Sequence, residues 1–173
     1  MGLLLDLGIF FILSFANYSE KDIQKKWAEL TYSSYNLVIA TTVTRNFSKW
    51  PFFFRDKIIN LLAPPEVKVL KIEFDYKLLS KIETISLNRE KGGKTVHGIM
   101  CTELQNFIPS KSLCLIVDID AYPLNKEAIM ISFIAAYKNG AFGNIQGYGD
   151  NLYIGPSFMC FDNAKVKNKL GDK

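Results

Sequence analysis

The sequence predicts an α/β domain built on a mostly parallel sheet, and three observations carry that prediction. Strand-like and helix-like patterns alternate along the chain, which is the signature of strands joined by helical crossovers. Leu113 to Val117 is a run of apolar residues with no polar break, which suits a strand buried on both faces of a parallel sheet. The chain has 173 residues, of which 49% are hydrophobic and 22% charged, enough for one domain with a real core and too apolar for disorder. A single domain over residues 1–173 is expected.

Taken in order, Gly8 to Phe15 reads as a buried first strand, followed by a polar turn at Ala16-Asn17-Tyr18-Ser19. Ser19 has the chemistry of a helix N-cap, Glu20 and Asp22 place negative charge in the first turn, and Ile23, Trp27 and Leu30 share one helical face. Leu37 to Val43 is the second strand, rich in β-branched residues. Phe52 to Leu62 is a helix with Pro51 at its start and Ala63-Pro64-Pro65 at its end. Val67 to Phe74 alternates apolar and polar residues as a third strand. Leu78 to Glu90 shows no clear periodicity, and Lys91-Gly92-Gly93-Lys94 is a loop. Thr95 to Ile108 is helical, with Met100, Leu104, Phe107 and Ile108 as its apolar stripe. Beyond the 113–117 strand, Asn125 caps a helix over Lys126 to Lys138, with Ile129, Phe133 and Tyr137 spaced by four and Asn139-Gly140 ending it. Residues 143–155, with Gly143, Gly147, Gly149 and Gly155, lose periodicity and read as a mobile glycine-rich loop between short apolar runs. Residues 163–173 form a polar, lysine-rich tail.

Chemistry concentrates where the apolar strand ends. Asp118 and Asp120 follow Val117 with one residue between them, so on an extended chain both carboxylates point to one side. Pro123 is then the residue that stops the strand. Two converging carboxylates are costly unless a positive group lies between them. Hard oxygen ligands suit Mg²⁺ or Mn²⁺, which keep positions open for phosphate oxygens. The plainer expectation is that one aspartate caps the turn while the other is solvated. In parallel sheets ligands bind beyond the carboxyl ends of the strands, which is where the pair falls.

Composition narrows the function classes. The net charge is +4, but the basic residues are scattered and mostly lysine, without the dense basic block of a nucleic-acid surface. Nucleic acid is therefore not an expected partner. Cys101, Cys114 and Cys160 lack metal-ligand spacing; Cys101 and Cys114 read as small buried hydrophobes, and a reducing, cytoplasmic setting is expected. The apolar N-terminus admits a signal peptide as the minor alternative, with Ser14-Phe15-Ala16 as a cleavage site. Against it, no Lys or Arg precedes the apolar part and Asp6 interrupts it. The uncharged stretch from Leu7 to Ser19 is too short to span a bilayer, so no transmembrane segment is expected. The sequence leaves the oligomeric state open.

The strand ending in Asp118-Ile119-Asp120 resembles the metal-binding Asp-x-Asp segment of the GT-A glycosyltransferases, whose domain is a three-layer, Rossmann-like, mostly parallel sheet. The surrounding Asp118 to Asn125, His97-Gly98 before a helix, and Gly155-Pro156-Ser157-Phe158 are similar to that group as well. The resemblance covers roughly Gly8 to Asp162, and only the Asp-x-Asp region is specific. It implies transfer of a sugar from a nucleotide-sugar donor to an acceptor that the sequence does not identify, with Mn²⁺ or Mg²⁺ as cofactor. By the same implication Asp120 ligates the metal, Asp118 contacts the metal or the ribose, and the Ser14 to Tyr18 loop (Ser14, Ala16, Asn17, Tyr18) cradles the base. His97 would meet a donor phosphate or sugar hydroxyl, helped by a helix N-terminus.

Two features depart from that family. Many members carry an acidic residue near the end of the second strand to read the base, whereas Ala40 to Thr44 offers only hydroxyls. The sequence runs about fifty residues past the motif, where larger members carry acceptor-binding elements and often a catalytic base. Asp150 and Asp162 are the weak candidates for that base, each with a competing role as a loop or capping residue. A non-catalytic or degenerate nucleotide-sugar-binding domain is therefore one alternative. A second is a phosphatase-like hydrolase with an aspartyl nucleophile, although such enzymes place the motif on the first strand. Gly92-Gly93-Lys94-Thr95 lacks the first glycine of a P-loop.

Overall fold

The computed structural model describes residues 18–44, 49–74, 104–118, 121–148 and 151–170. Within them the order is α1 (Glu20–Thr31), β1 (Asn36–Thr44), α2 (Lys49–Leu62), β2 (Lys68–Phe74), β3 (Ser112–Val117), α3 (Lys126–Asn139), β4 (Ala141–Tyr148), β5 (Asn151–Asp162) and α4 (Asn163–Leu170). A helical turn at 104–107 precedes β3. The strands form one open five-stranded sheet in the order β2-β1-β3-β5-β4. β1 is parallel to both β2 and β3, while β5 is antiparallel to β3 and to β4. The fold is thus α/β with a parallel core, and its antiparallel half is a departure from the mostly parallel expectation.

Side-chain alternation divides the core into two faces. Leu37 and Ile39 of β1, Leu113, Leu115 and Val117 of β3, and Phe158 and Cys160 of β5 join Ile23, Trp27, Leu30, Ile59, Ile129 and Phe133 on one side. Val38, Ala40, Cys114, Ile116 and Phe161 join Leu104 and Ile108 on the other, with Val166 of α4 packed against them. All six side chains of β3 are buried, as a strand covered on both faces requires.

Local signals explain the helix ends. At α1 the Asp22 N–H donates to Ser19 Oγ at 3.2 Å, and the Ser19 N–H donates to the Asp22 carboxylate at 3.3 Å. This reciprocal capping box satisfies two otherwise orphaned donors. The Ser19 side-chain hydrogen bond holds the Asp22 carboxyl below its ordinary value. At α3 the Ala128 N–H donates to Asn125 Oδ1 at 2.8 Å, and Gly140 ends the helix at φ 91°. Burial on α3 extends over Ile129 to Ile134 and Ala136, because the helix is wedged between α1 and the sheet and presents no wide solvent face. Tyr137, expected in its apolar stripe, is 42% exposed, and Phe107 of the 104–108 stripe is 70% exposed.

The main correction concerns residues 143–155. In place of a glycine-rich loop the chain forms most of an antiparallel hairpin, with Tyr148 paired to Asn151. Backbone ladder bonds specify this pairing, and glycines erase the two-residue side-chain period that would have revealed it. The register breaks between Gly143, paired with Met159, and Ile145, paired with Ile154. Gly155 and Pro156 fall inside that irregularity, the one place in a sheet interior where proline's missing N–H is tolerated. The tail is likewise corrected, since residues 163–170 form α4. The proposed Gly8 to Phe15 strand, the 78–94 region and Cys101 lie outside the described residues.

Two substitutions test the ends of α3. Asn125→Ala is expected to cost about 1 kcal/mol by loss of the cap. Gly140→Ala is expected to cost a similar amount, about 1 kcal/mol, from its positive φ alone, because an added Cβ would meet only Lys165 Cδ at an ordinary 3.5 Å. Urea denaturation of both variants measures this, and a neutral Gly140→Ala would show that the helix end relaxes.

Candidate functional site

The strand order creates a switch point. From β1 the chain crosses through α2 to β2 on one side, while β3 lies on the other side of β1. Ligands in open α/β sheets bind outside the carboxyl ends of the strands at such a point. Thr41 of β1 is level with Val117 of β3, so Asp118 emerges from the sheet beside the last residues of β1. It is half-buried.

Strand β3 ends at Val117, well before Pro123. The Ala121 N–H donates to the Asp118 carbonyl at 3.3 Å, which draws residue 121 back toward residue 118. Asp120 lies outside the described residues, and Pro123 does not terminate the strand. Ala121 packs against the core and Pro123 is buried, anchoring the connection to Asn125 and α3.

Helices α1 and α3 descend side by side from this end of the sheet. Trp27 and Phe133, equally far along their helices (20 to 27 and 126 to 133), meet at 6.1 Å. Their lower ends are joined by the edge-to-face pair of Tyr35 and Tyr137 at 5.4 Å. The N-termini of α1 and α3 thus lie at the carboxyl end of β1 and β3, and α2 starts there too because it follows β1 directly. Helix N-termini carry partial positive charge; those of α1 and α3 are already capped by Ser19 and Asn125 and hold Glu20, Asp22 and Glu127 in their first turns, whereas the first turn of α2 holds no acid.

The β4–β5 hairpin extends past the same end. Phe158 is the residue of β5 paired with Val117, so residues 151–157 run beyond the end of β3, with the later part of β4 beside them. The segment expected to be a loop is a projecting wall of the candidate site.

The expected site residues divide accordingly. Asp118 and Tyr18 lie at this end, with Tyr18 just ahead of α1, packed on the core with Lys26 Nζ 5.7 Å from its ring centroid. Ser14, Ala16, Asn17, His97, Asp120 and Asp150 lie outside the described residues. Asp162 is not brought to Asp118. It pairs with Leu113 at the opposite, amino end of β3 and is fully buried. Its carboxylate accepts from Tyr35 Oη at 3.1 Å and from the N–H groups of Ala164 at 3.1 Å and Lys165 at 3.3 Å, with Lys165 Nζ at 3.4 Å. That is the capping role, at the start of α4. Asn163 completes the junction, its amide donating to the carbonyls of Gln105, Ile108 and Pro109 at 3.2–3.4 Å.

Comparison of the chain with protein-family models, with curated proteins and with solved structures gives no match. Among the described residues no group of three or more His, Cys, Asp or Glu side chains is placed to hold a metal ion. Asp118 is the one described carboxylate of the Asp-x-Asp segment. Cys114 and Cys160 are buried, without a disulfide, on opposite faces of the sheet. Burial pushes the Cys160 thiol well above its ordinary value, so it serves as packing and not as a nucleophile.

The amino-end cluster yields a pH prediction. Burial, and then the hydrogen bond to Asp162, raise the Tyr35 hydroxyl above its ordinary value of 10.0. A raised value means the pairing contributes fully at neutral pH and is lost as pH climbs through the folded-state value, where a phenolate would face Asp162. Tyr35→Phe should cost about 1 kcal/mol at neutral pH. Urea melts at increasing pH should show that deficit shrinking only above 10, and a deficit independent of alkaline pH would contradict the pairing.

Proposed function

We propose that the chain binds a nucleotide-diphospho-sugar together with Mn²⁺ or Mg²⁺ at the carboxyl ends of β1 and β3, and transfers the sugar to an acceptor, in the manner of the GT-A glycosyltransferases. The observation that carries this reading is the position of Asp118, half-buried immediately after the fully buried β3 and beside the end of β1 at the switch point. Asp118, with Asp120, would hold the cation. A bound cation neutralises the charge that grows on a departing diphosphate. The N-terminus of α2, with no acidic residue in its first turn, would supply N–H donors and partial positive charge toward the same anion. The β4–β5 hairpin, which runs beyond the end of β3, would flank the site.

The placement of Asp162 favours a second reading, binding without transfer. Of the two candidate bases, Asp162 is engaged as a buried cap at the amino end of β3, away from Asp118.

Calorimetry on the full chain with uridine or guanosine diphosphate, with and without Mn²⁺, tests the site. Metal-dependent binding is expected, weakened at least about tenfold in Asp118→Asn through loss of one ligand to the cation. Absence of metal-dependent binding by the wild-type chain would sink both readings. Binding without turnover of any sugar nucleotide in the wild type, and unchanged binding in Asp150→Asn, would select the second.

A further inference from the structure

Helix α2 is turned inside out for a surface helix. At about 100° per residue, Phe53, Lys57, Leu61 and Phe54 fall within one arc about 100° wide. Phe53, Phe54 and Leu61 are 48%, 55% and 82% exposed. On the opposite side of the helix, Arg55 and Ile59 are fully buried. The ordinary pattern would place apolar side chains inward and cations outward, and here a guanidinium is held inside while three large apolar side chains face out. Contiguous exposed apolar surface of this kind marks an interaction site.

Charge identifies the occupant. Within the arc Lys57 lies against the aromatic side chains, its Nζ 5.0 Å from the Phe53 ring centroid. Phe53 and Phe54 are themselves in edge contact at 5.9 Å. The only carboxylate of α2, Asp56, lies off the arc and is engaged by Arg55 at 2.9 Å and by Lys71 at 3.7 Å. The outer face is therefore apolar and aromatic with a net positive charge. A second copy docking across a two-fold axis would bring Lys57 of both copies into one interface with no carboxylate among the described residues of this face to receive them. An anionic bilayer surface meets each requirement, because aromatic and aliphatic side chains enter the headgroup boundary while a lysine reaches outward to lipid phosphates. No helix among the described residues is long and apolar enough to cross a membrane, so the contact lies in the plane of the surface.

We propose that the Phe53-Phe54-Lys57-Leu61 face of α2 docks the protein on membranes containing anionic lipid. This contact is independent of the carboxylate site and does not rest on the transferase reading.

Co-sedimentation of the full chain with phosphatidylcholine vesicles, with and without phosphatidylglycerol, tests it. The wild type should bind the anionic vesicles, less so as salt is raised. Lys57→Gln should weaken binding about fivefold, the effect of removing one cation from an anionic surface. The triple variant Phe53→Ser, Phe54→Ser, Leu61→Ser should weaken it at least about tenfold by withdrawing apolar area. Its circular dichroism should be unchanged, since the substitutions lie on an exposed face. Tyr32→Ser, at a residue 92% exposed elsewhere on the surface, should bind as the wild type does. Failure of the wild type to bind anionic vesicles, or equal binding by the triple variant, overturns the proposal. So does a triple variant that loses self-association in sedimentation velocity while vesicle binding stays as it was, which would assign the face to a second copy.

Discussion

A strand with no exposed side chain must find every backbone partner in its neighbours, and β3 does so between β1 on one side and β5 on the other. The cost of leaving any of those N–H or C=O groups unpaired in an apolar interior makes this placement strict. Its odd-numbered residues build the core under α1 and α3, and its even-numbered residues build the core under α4 and the 104–108 segment. Both faces of the sheet are thereby committed by six residues. The position of Asp118 is a consequence, since the first polar side chain after β3 has to emerge at the carboxyl end of the parallel core.

The two ends of the sheet differ in kind. The amino end is closed by a network in which one buried carboxylate, Asp162, is shared by a tyrosine, two backbone N–H groups and a lysine, with Lys165 also donating to the Tyr137 carbonyl at 2.9 Å. Asn36 adds to it, donating to the Lys111 carbonyl through both its backbone and its side chain at 3.1 Å. Hydrogen-bonded groups of this kind rigidify that end of the sheet, which also borders an open cavity lined by Tyr35, Asn36, Lys68 and Phe107. The carboxyl end gathers helix N-termini, a half-buried carboxylate and an overhanging hairpin.

Residues with strong local chemistry were legible from the sequence. Ser19 and Asn125 as caps, Gly140 as a helix stop, the Ile23-Trp27-Leu30 face and the buried 113–117 run all appear where their patterns place them. The hairpin was not legible, because Gly143, Gly147, Gly149 and Gly155 contribute no alternation to read. Phe107 was misassigned to a buried stripe because a helical phase says which residues share a face but not whether anything covers that face. Arg55 is the reverse case, a residue whose charge argues for the surface and which tertiary packing holds inside.

The candidate site divides along the same line. From residue types alone the chain determined that an apolar, fully buried strand ends at an aspartate, because that pattern is local to a few consecutive positions. Which distant acids come near it was decided only by the sheet. The antiparallel pairing of β5 sends Asp162 to the amino end and carries the hairpin past Asp118. Strand order and direction arise from contacts between residues far apart in the chain, and no window of sequence contains them.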